Sequence, residues 1–173
     1  MRSFLMKNLV VGVVLAMILG CGRMPDERLM EKGAQFENDG EYVEAIDCYE
    51  KLVKHYQKSP FIAEALYRAG LAYSNGLQDF SKAVTSLQRV VDEFPDSKPS
   101  AQCQFMIGFI YANSAPDTAK ARVAYNAFLE KFPNHELASA VHWELEHLGK
   151  DINEIPELAG LDKKPEPEAE AEK

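Results

Sequence analysis

Tyr67-Arg68-Ala69-Gly70-Leu71-Ala72-Tyr73 and Phe105-Met106-Ile107-Gly108-Phe109-Ile110-Tyr111 stand at an interval of 38 and share one pattern, an aromatic, Gly three later, and an aromatic three after that. The register continues outward: Ala83 is matched by Ala121, and Glu93-Phe94-Pro95-Asp96 by Lys131-Phe132-Pro133-Asn134. An earlier copy keeps Gly33 and Phe36, at an interval of 37 from Gly70 and Tyr73, and Ala45, at 38 from Ala83. Each unit of such a repeat cannot bury its apolar face alone, so stacked neighbours must share a continuous core.

Within each copy the apolar residues fall at helical spacing. In the first, Leu29, Gly33 and Phe36 predict one helix and Tyr42, Ala45, Ile46, Tyr49, Leu52 and Val53 another, with Asn38-Asp39-Gly40 as the stop between them. Ser59-Pro60 is expected to open the second copy, Ser as cap and Pro in the first helical position. There Leu66, Ala69, Gly70 and Tyr73 mark the first helix and Ala83, Val84, Leu87, Val90 and Val91 the second, separated at Asn75-Gly76. The third has Phe105, Gly108, Phe109 and Tyr111, a turn at Asn113-Ser114-Ala115-Pro116, then Ala121, Ala124, Tyr125, Phe128 and Leu129. After Pro133 a single helix to about Leu148 carries Glu146 where earlier units carry Gly, the mark of a polar terminal cap.

The expected fold is therefore all-α, an α-solenoid of three helix hairpins (26–59, 60–97, 98–134) closed by a capping helix, 135–148. Gly33, Gly70 and Gly108 are expected to face Ala45, Ala83 and Ala121, so that paired helices approach without Cβ collisions.

Gly at this place in the first helix, an aromatic three later, Ala early in the second helix, an aromatic or Leu four after it, and Pro at the close resemble the tetratricopeptide repeat. The resemblance covers about residues 26–148. Copies two and three exceed the usual ~34 residues, and Gln57 replaces the closing Pro in copy one. The Phe-Pro-Asp-Ser and Phe-Pro-Asn endings are similar to those of a subtype found in bacterial envelope proteins. Two such families are the outer-membrane assembly lipoproteins of the BamD type, which have more repeats than this chain, and periplasmic repeat proteins associated with the Tol–Pal system. Either resemblance implies a scaffold with protein or peptide partners and no cofactor.

The N-terminus supports an envelope address. Arg2 and Lys7 precede an uncharged apolar run, Leu9 to Leu19, and Ile18-Leu19-Gly20-Cys21 follows. Eleven residues rise only about 16 Å as a helix, too short for a hydrocarbon core of roughly 30 Å. Residues 1–20 read as a removable signal peptide. The Cys resembles a lipobox Cys, which implies cleavage after Gly20, lipidation of Cys21 and attachment at the outer membrane facing the periplasm; a secretory signal without lipid, or a short N-terminal anchor left uncut, is the alternative. Residues 21–25 would form a short tether. Loss of Arg2 and Lys7 on cleavage leaves 17 of the 19 basic groups against 27 acidic ones, a formal charge of −10. Such a surface repels nucleic acid and anionic headgroups.

No catalytic pattern is present. His55, His135, His142 and His147 have no metal-ligand spacing, and there is no phosphate loop or nucleophile elbow. Cys48 and Cys103 sit in apolar helical patterns as small hydrophobes, in copies one and three, too far apart in a solenoid for a disulfide to be expected.

Two ladders are candidates for partner binding. Tyr67, Phe105 and Trp143 recur at intervals of 38, with Met30 near the matching place in copy one. On the repeat template they look into the concave groove, where aromatics could grip a peptide, or they fill space between successive first helices. Asn38, Asn75 and Asn113 form the second ladder and either bind a peptide backbone or cap their helices. Residues 149–161 carry Ile152, Ile155, Leu158 and Leu161 and are expected to be extended or docked on the last helix; 162–173, rich in Pro and Glu, are expected to be disordered.

Overall fold

The structure, a computed structural model, describes residues 24–150 and 154–155. The expected signal peptide, Cys21 and the 162–173 tail lie outside the described residues. So do 151–153 and 156–161 of the segment after the last helix.

Among the described residues there are seven α-helices: α1 Asp26–Asn38, α2 Tyr42–His55, α3 Ile62–Leu71, α4 Phe80–Glu93, α5 Ser100–Phe109, α6 Thr118–Lys131 and α7 Ala138–His147. They pair as α1–α2, α3–α4 and α5–α6, with each pair packed on the next and α7 against α6. The fold is an all-α solenoid of three hairpins and a terminal helix.

The pairs connect in two ways. Between Gly33 and Ala45 there are 12 steps, and α1 is followed by Asp39 as its C-cap and by Gly40 in the left-handed region at φ +78°. Between Gly70 and Ala83, and between Gly108 and Ala121, there are 13. The additional residue shows in the closing bond: Glu41 N–H donates to the Phe36 carbonyl five residues back at 2.8 Å, whereas Asp79 and Asp117 N–H reach the Tyr73 and Tyr111 carbonyls six residues back at 2.9 and 2.7 Å, after π turns over Ala72–Gly76 and Ile110–Ser114. Asn75-Gly76 and Asn113-Ser114 are therefore wound into helix ends at Ala72–Gly76 and Ile110–Ser114, not placed in turns as the sequence pattern predicted. Gly76 is needed there because a Cβ would collide with the ring of Tyr42 at the start of α2.

Helix starts also differ from expectation. Helix α3 begins at Ile62, so Pro60 precedes the helix, although Ser59 Oγ does accept the Phe61 N–H at 3.1 Å. Helix α7 begins at Ala138 and ends at His147, inside the expected 135–148. The second helices of the longer units are capped by Asp79 and Asp117, whose carboxylates accept the N–H groups of Lys82 and Lys120 at 3.1 and 3.0 Å. This Asp-x-x-Lys cap recurs in the repeat register, a sequence signal that the apolar pattern alone does not include.

The nearest partner of each glycine is not the expected alanine, although a Cβ on Gly70 would also lie 3.4 Å from the Ala83 carbonyl oxygen. A Cβ on Gly33 would lie 2.5 Å from Cε1 of Tyr49, one on Gly108 2.5 Å from Cδ1 of Tyr125, and one on Gly70 2.8 Å from Cγ of Leu87. Each glycine is thus a notch for the large residue four positions after the alanine. Ala45, Ala83 and Ala121 are completely buried and keep the helix pairs close. Two apolar clusters result, one through units one and two into unit three, the other joining Ala101, Tyr125 and Phe128 to Val141 of α7. Fully burying side chains of this size is worth roughly 1.5–3 kcal/mol each.

Candidate partner-binding face

The first helices α1, α3 and α5, with α7, line one side of the array. Its helices are linked at the start by ions: Arg68 on α3 donates to Glu64 on the same helix at 2.8 Å and to Glu37 on α1 at 3.2 Å. The Tyr49 hydroxyl passes the Gly33 notch from α2 and donates to the same Glu37 oxygen at 2.8 Å. Burial and then this carboxylate raise the pKa of Tyr49, so the phenol stays protonated.

Tyr125 takes the matching place at the far end of the array, near Glu144 of α7, but its buried hydroxyl has no hydrogen-bond partner among the described residues; burial first, then the charge of Glu144, raises its pKa. In the middle unit the tyrosine is Leu87 and the position matching Arg68 and Glu144 is Met106. Units one and three carry a tyrosine with a charged residue at the matching position of the next unit, hydrogen-bonded only for Tyr49, and an apolar residue stands at both places in between.

Farther along this face the ions give way to rings. Phe105 and Phe109 on α5 stack with centroids 6.2 Å apart, and Trp143 and His147 on α7 stack at 4.4 Å. These pairs are equivalent by the repeat register, both spaced i, i+4, which places them on one side of their helices. Phe109 is 37% exposed and Trp143 41%. Helix α5 places Ile107 and Cys103 in the core and Phe109 outside, with Ser100, Gln102 and Gln104 among its apolar residues.

The ladder of Tyr67, Phe105 and Trp143 therefore has mixed surroundings. Tyr67 and Met30 are half-buried against the main core, and burial raises the Tyr67 pKa. Phe105 is half-buried, 6.0 Å from the Tyr125 ring, while Trp143 lies open to solvent. Phe109 belongs with them, although the sequence pattern marks it only as part of the helix; its signal was the doubled aromatic at i, i+4. Asn75 and Asn113 are exposed, and the Asn113 amide donates to the Phe109 carbonyl at 3.1 Å, which ties it to its own π turn. Asn38, also exposed, is the last residue of α1.

The opposite side, formed by the second helices, contains a cleft of about 470 Å³ between α4 and α6 with α5 as its floor. Gln104, 5% exposed, stands at the place of Leu66 one repeat earlier, and its Nε2 donates to the Ala124 carbonyl at 2.9 Å. Its apolar wall includes Ile107 and the exposed Val123. At the end of the array Ile155 is 5% exposed in a recess beside Trp143, Leu148 and Pro116, so this part of the 149–161 segment is docked.

Among the described residues no three His, Cys, Asp or Glu groups are placed to hold a metal ion, and no helix is long and apolar enough to cross a membrane. His135 is a structural residue whose Nδ1 accepts the Leu137 N–H at 3.2 Å, with its ring edge-on to Phe128. Cys48 and Cys103 are buried free thiols. Burial, then the charge of Glu64, pushes the Cys103 thiol up to about 12.

A family model described as tetratricopeptide repeat matches residues 29–59, 64–97 and 102–135, which together exceed half of the chain. No match was found among curated proteins.

Proposed function

This chain belongs to the tetratricopeptide-repeat family, and on that premise we propose that it is a scaffold of the bacterial envelope, anchored at the outer membrane through acylated Cys21, that binds a protein or peptide on its first-helix face. The observation that carries the binding reading is the pair of stacked rings, Phe105–Phe109 and Trp143–His147, on successive first helices with Phe109 and Trp143 open to solvent. Aromatic groups of this kind supply large contact area with few torsions to fix, as binding hot spots require. Repeat arrays of this family are interaction modules. The anchoring reading rests on the apolar run ending at Cys21. Outer-membrane protein assembly is the first pathway to test, and Tol–Pal-linked or cell-wall functions the second.

The test is crosslinking of the full-length protein in intact cells of its source, isolation from membranes and identification of what accompanies it. Recovery of β-barrel assembly components, lost with Phe109→Ala or Trp143→Ala, supports the first reading; recovery of Tol–Pal components supports the second. Palmitate labelling that survives Cys21→Ser would overturn the anchor.

A further inference from the structure

The turn that closes the first unit differs in charge from its counterparts. The repeat register matches Lys54, His55, Tyr56 and Lys58 with Asp92, Glu93, Phe94 and Asp96, and these with Glu130, Lys131, Phe132 and Asn134. One structural position therefore carries lysines in unit one, carboxylates in unit two and a balance in unit three. From Lys51 to Ala63 there is no acidic residue, in a chain whose formal charge is −8. Lys54 and Lys58 are exposed and line one recess with Asp26 and Tyr56.

The same turn holds the incoming chain. Tyr56 is the only one of the three matched aromatics with a hydroxyl, and that hydroxyl donates to the Met24 carbonyl at 2.6 Å. Met24 follows Cys21 by three positions. Fully extended, that stretch spans only about 10 Å, about the Debye length at physiological salt. An acyl chain at Cys21 would thus bring whatever surrounds Met24 to the headgroup layer.

We propose that the Lys54–Lys58 turn is the membrane-facing surface of this protein, docking on the anionic headgroups of the bilayer, with Tyr56 as the clasp that sets the orientation. The proposal rests on the acylation of Cys21. The lysines oppose the repulsion that the rest of the acidic surface has for an anionic bilayer. The array is then held with its first unit at the membrane and its ring-bearing face, on α5 and α7, farther along the stack.

The experiment uses full-length acylated protein in vesicles of phosphatidylethanolamine with phosphatidylglycerol, in vesicles of phosphatidylcholine alone, and in neutral detergent. Lysines are acylated with a membrane-impermeant amine reagent and quantified by peptide mass spectrometry. Lys54 and Lys58 should react several-fold more slowly on the anionic vesicles than in detergent, while Lys98 and Lys131 keep their rates. Tyr56→Phe should narrow that difference. The variant Lys54→Asp with Lys58→Asp introduces residues that unit two already tolerates at these positions, so it should fold and lose the salt-sensitive part of vesicle binding. A Cys21 peptide without the acyl mass would overturn the anchoring reading. Acylated, vesicle-bound protein in which Lys54 and Lys58 react as fast as in detergent would overturn the orientation alone.

Discussion

The ring of Tyr49 occupies the place where a side chain on Gly33 would begin: a Cβ there would lie 2.5 Å from Cε1 of the ring. Gly33→Ala gains about 1 kcal/mol in helix propensity and loses more by forcing a fully buried ring to move. The expected net loss is about 1–2 kcal/mol, read as a lower urea midpoint. In a Tyr49→Ala background the same substitution should cease to destabilise, a coupling of about 1 kcal/mol or more. Additive effects would show that the notch is not filled by this ring.

Phe105 and Phe109 stack on each other but stand in different surroundings. Phe105→Ala removes a half-buried ring from beside Tyr125 and should cost about 2–3 kcal/mol. Phe109→Ala and Trp143→Ala should each cost less than about 1 kcal/mol, while lowering the yield of crosslinked partner. Equal stability losses in urea titrations of all three would make the exposed rings structural.

The two aspartate caps give the protein an acid limb. The Lys82 and Lys120 N–H groups hold the carboxyls of Asp79 and Asp117 below the usual carboxylate range. A group whose folded pKa is depressed stabilises the fold above its unfolded pKa of about 3.9, and that contribution disappears as pH falls through the folded value. Asn caps equally well but does not titrate. Asp79→Asn with Asp117→Asn should therefore keep stability near neutral pH close to that of the parent and flatten its decline below about pH 4, as measured by thermal unfolding at a series of pH values.

Burial keeps both thiols protonated. With Cys103 pushed up to about 12 and Cys48 also raised by burial, neither should react with an aromatic disulfide reagent at mildly alkaline pH while the protein is folded. Reactivity should appear together with the loss of helical signal across a urea titration. Rapid modification of native Cys103 would contradict its complete burial.

The helix pairs were legible in the sequence because the repeat supplies the same pattern three times, and an apolar residue at i, i+4 has one physical meaning in a stacked helix. The partner of each glycine was not, since Ala45 and Tyr49 lie on the same face of α2 and spacing alone cannot say which of them fills the gap. The π turns were hidden for a related reason. Asn75-Gly76 and Asn113 carry turn chemistry, yet an additional residue between fixed Gly and Ala positions can be wound in as well as looped out. Of the binding face, the ladder of Tyr67, Phe105 and Trp143 was found by interval. Phe109 was recognised only when exposure separated it from the core aromatics.

The two π turns also bear on how such an array can vary in length. One residue added to a helix turns everything after it by about 100°, which would swing Ala83 or Ala121 out of the core. Here that residue is wound into Ala72–Gly76 or Ile110–Ser114, and a non-helical break, 77–79 or 115–117, separates it from the next helix, whose Ala83 or Ala121 stays buried. In the two longer hairpins the connection thus acts as a phase corrector: the shorter first unit and the longer ones after it keep Ala45, Ala83 and Ala121 alike in the core.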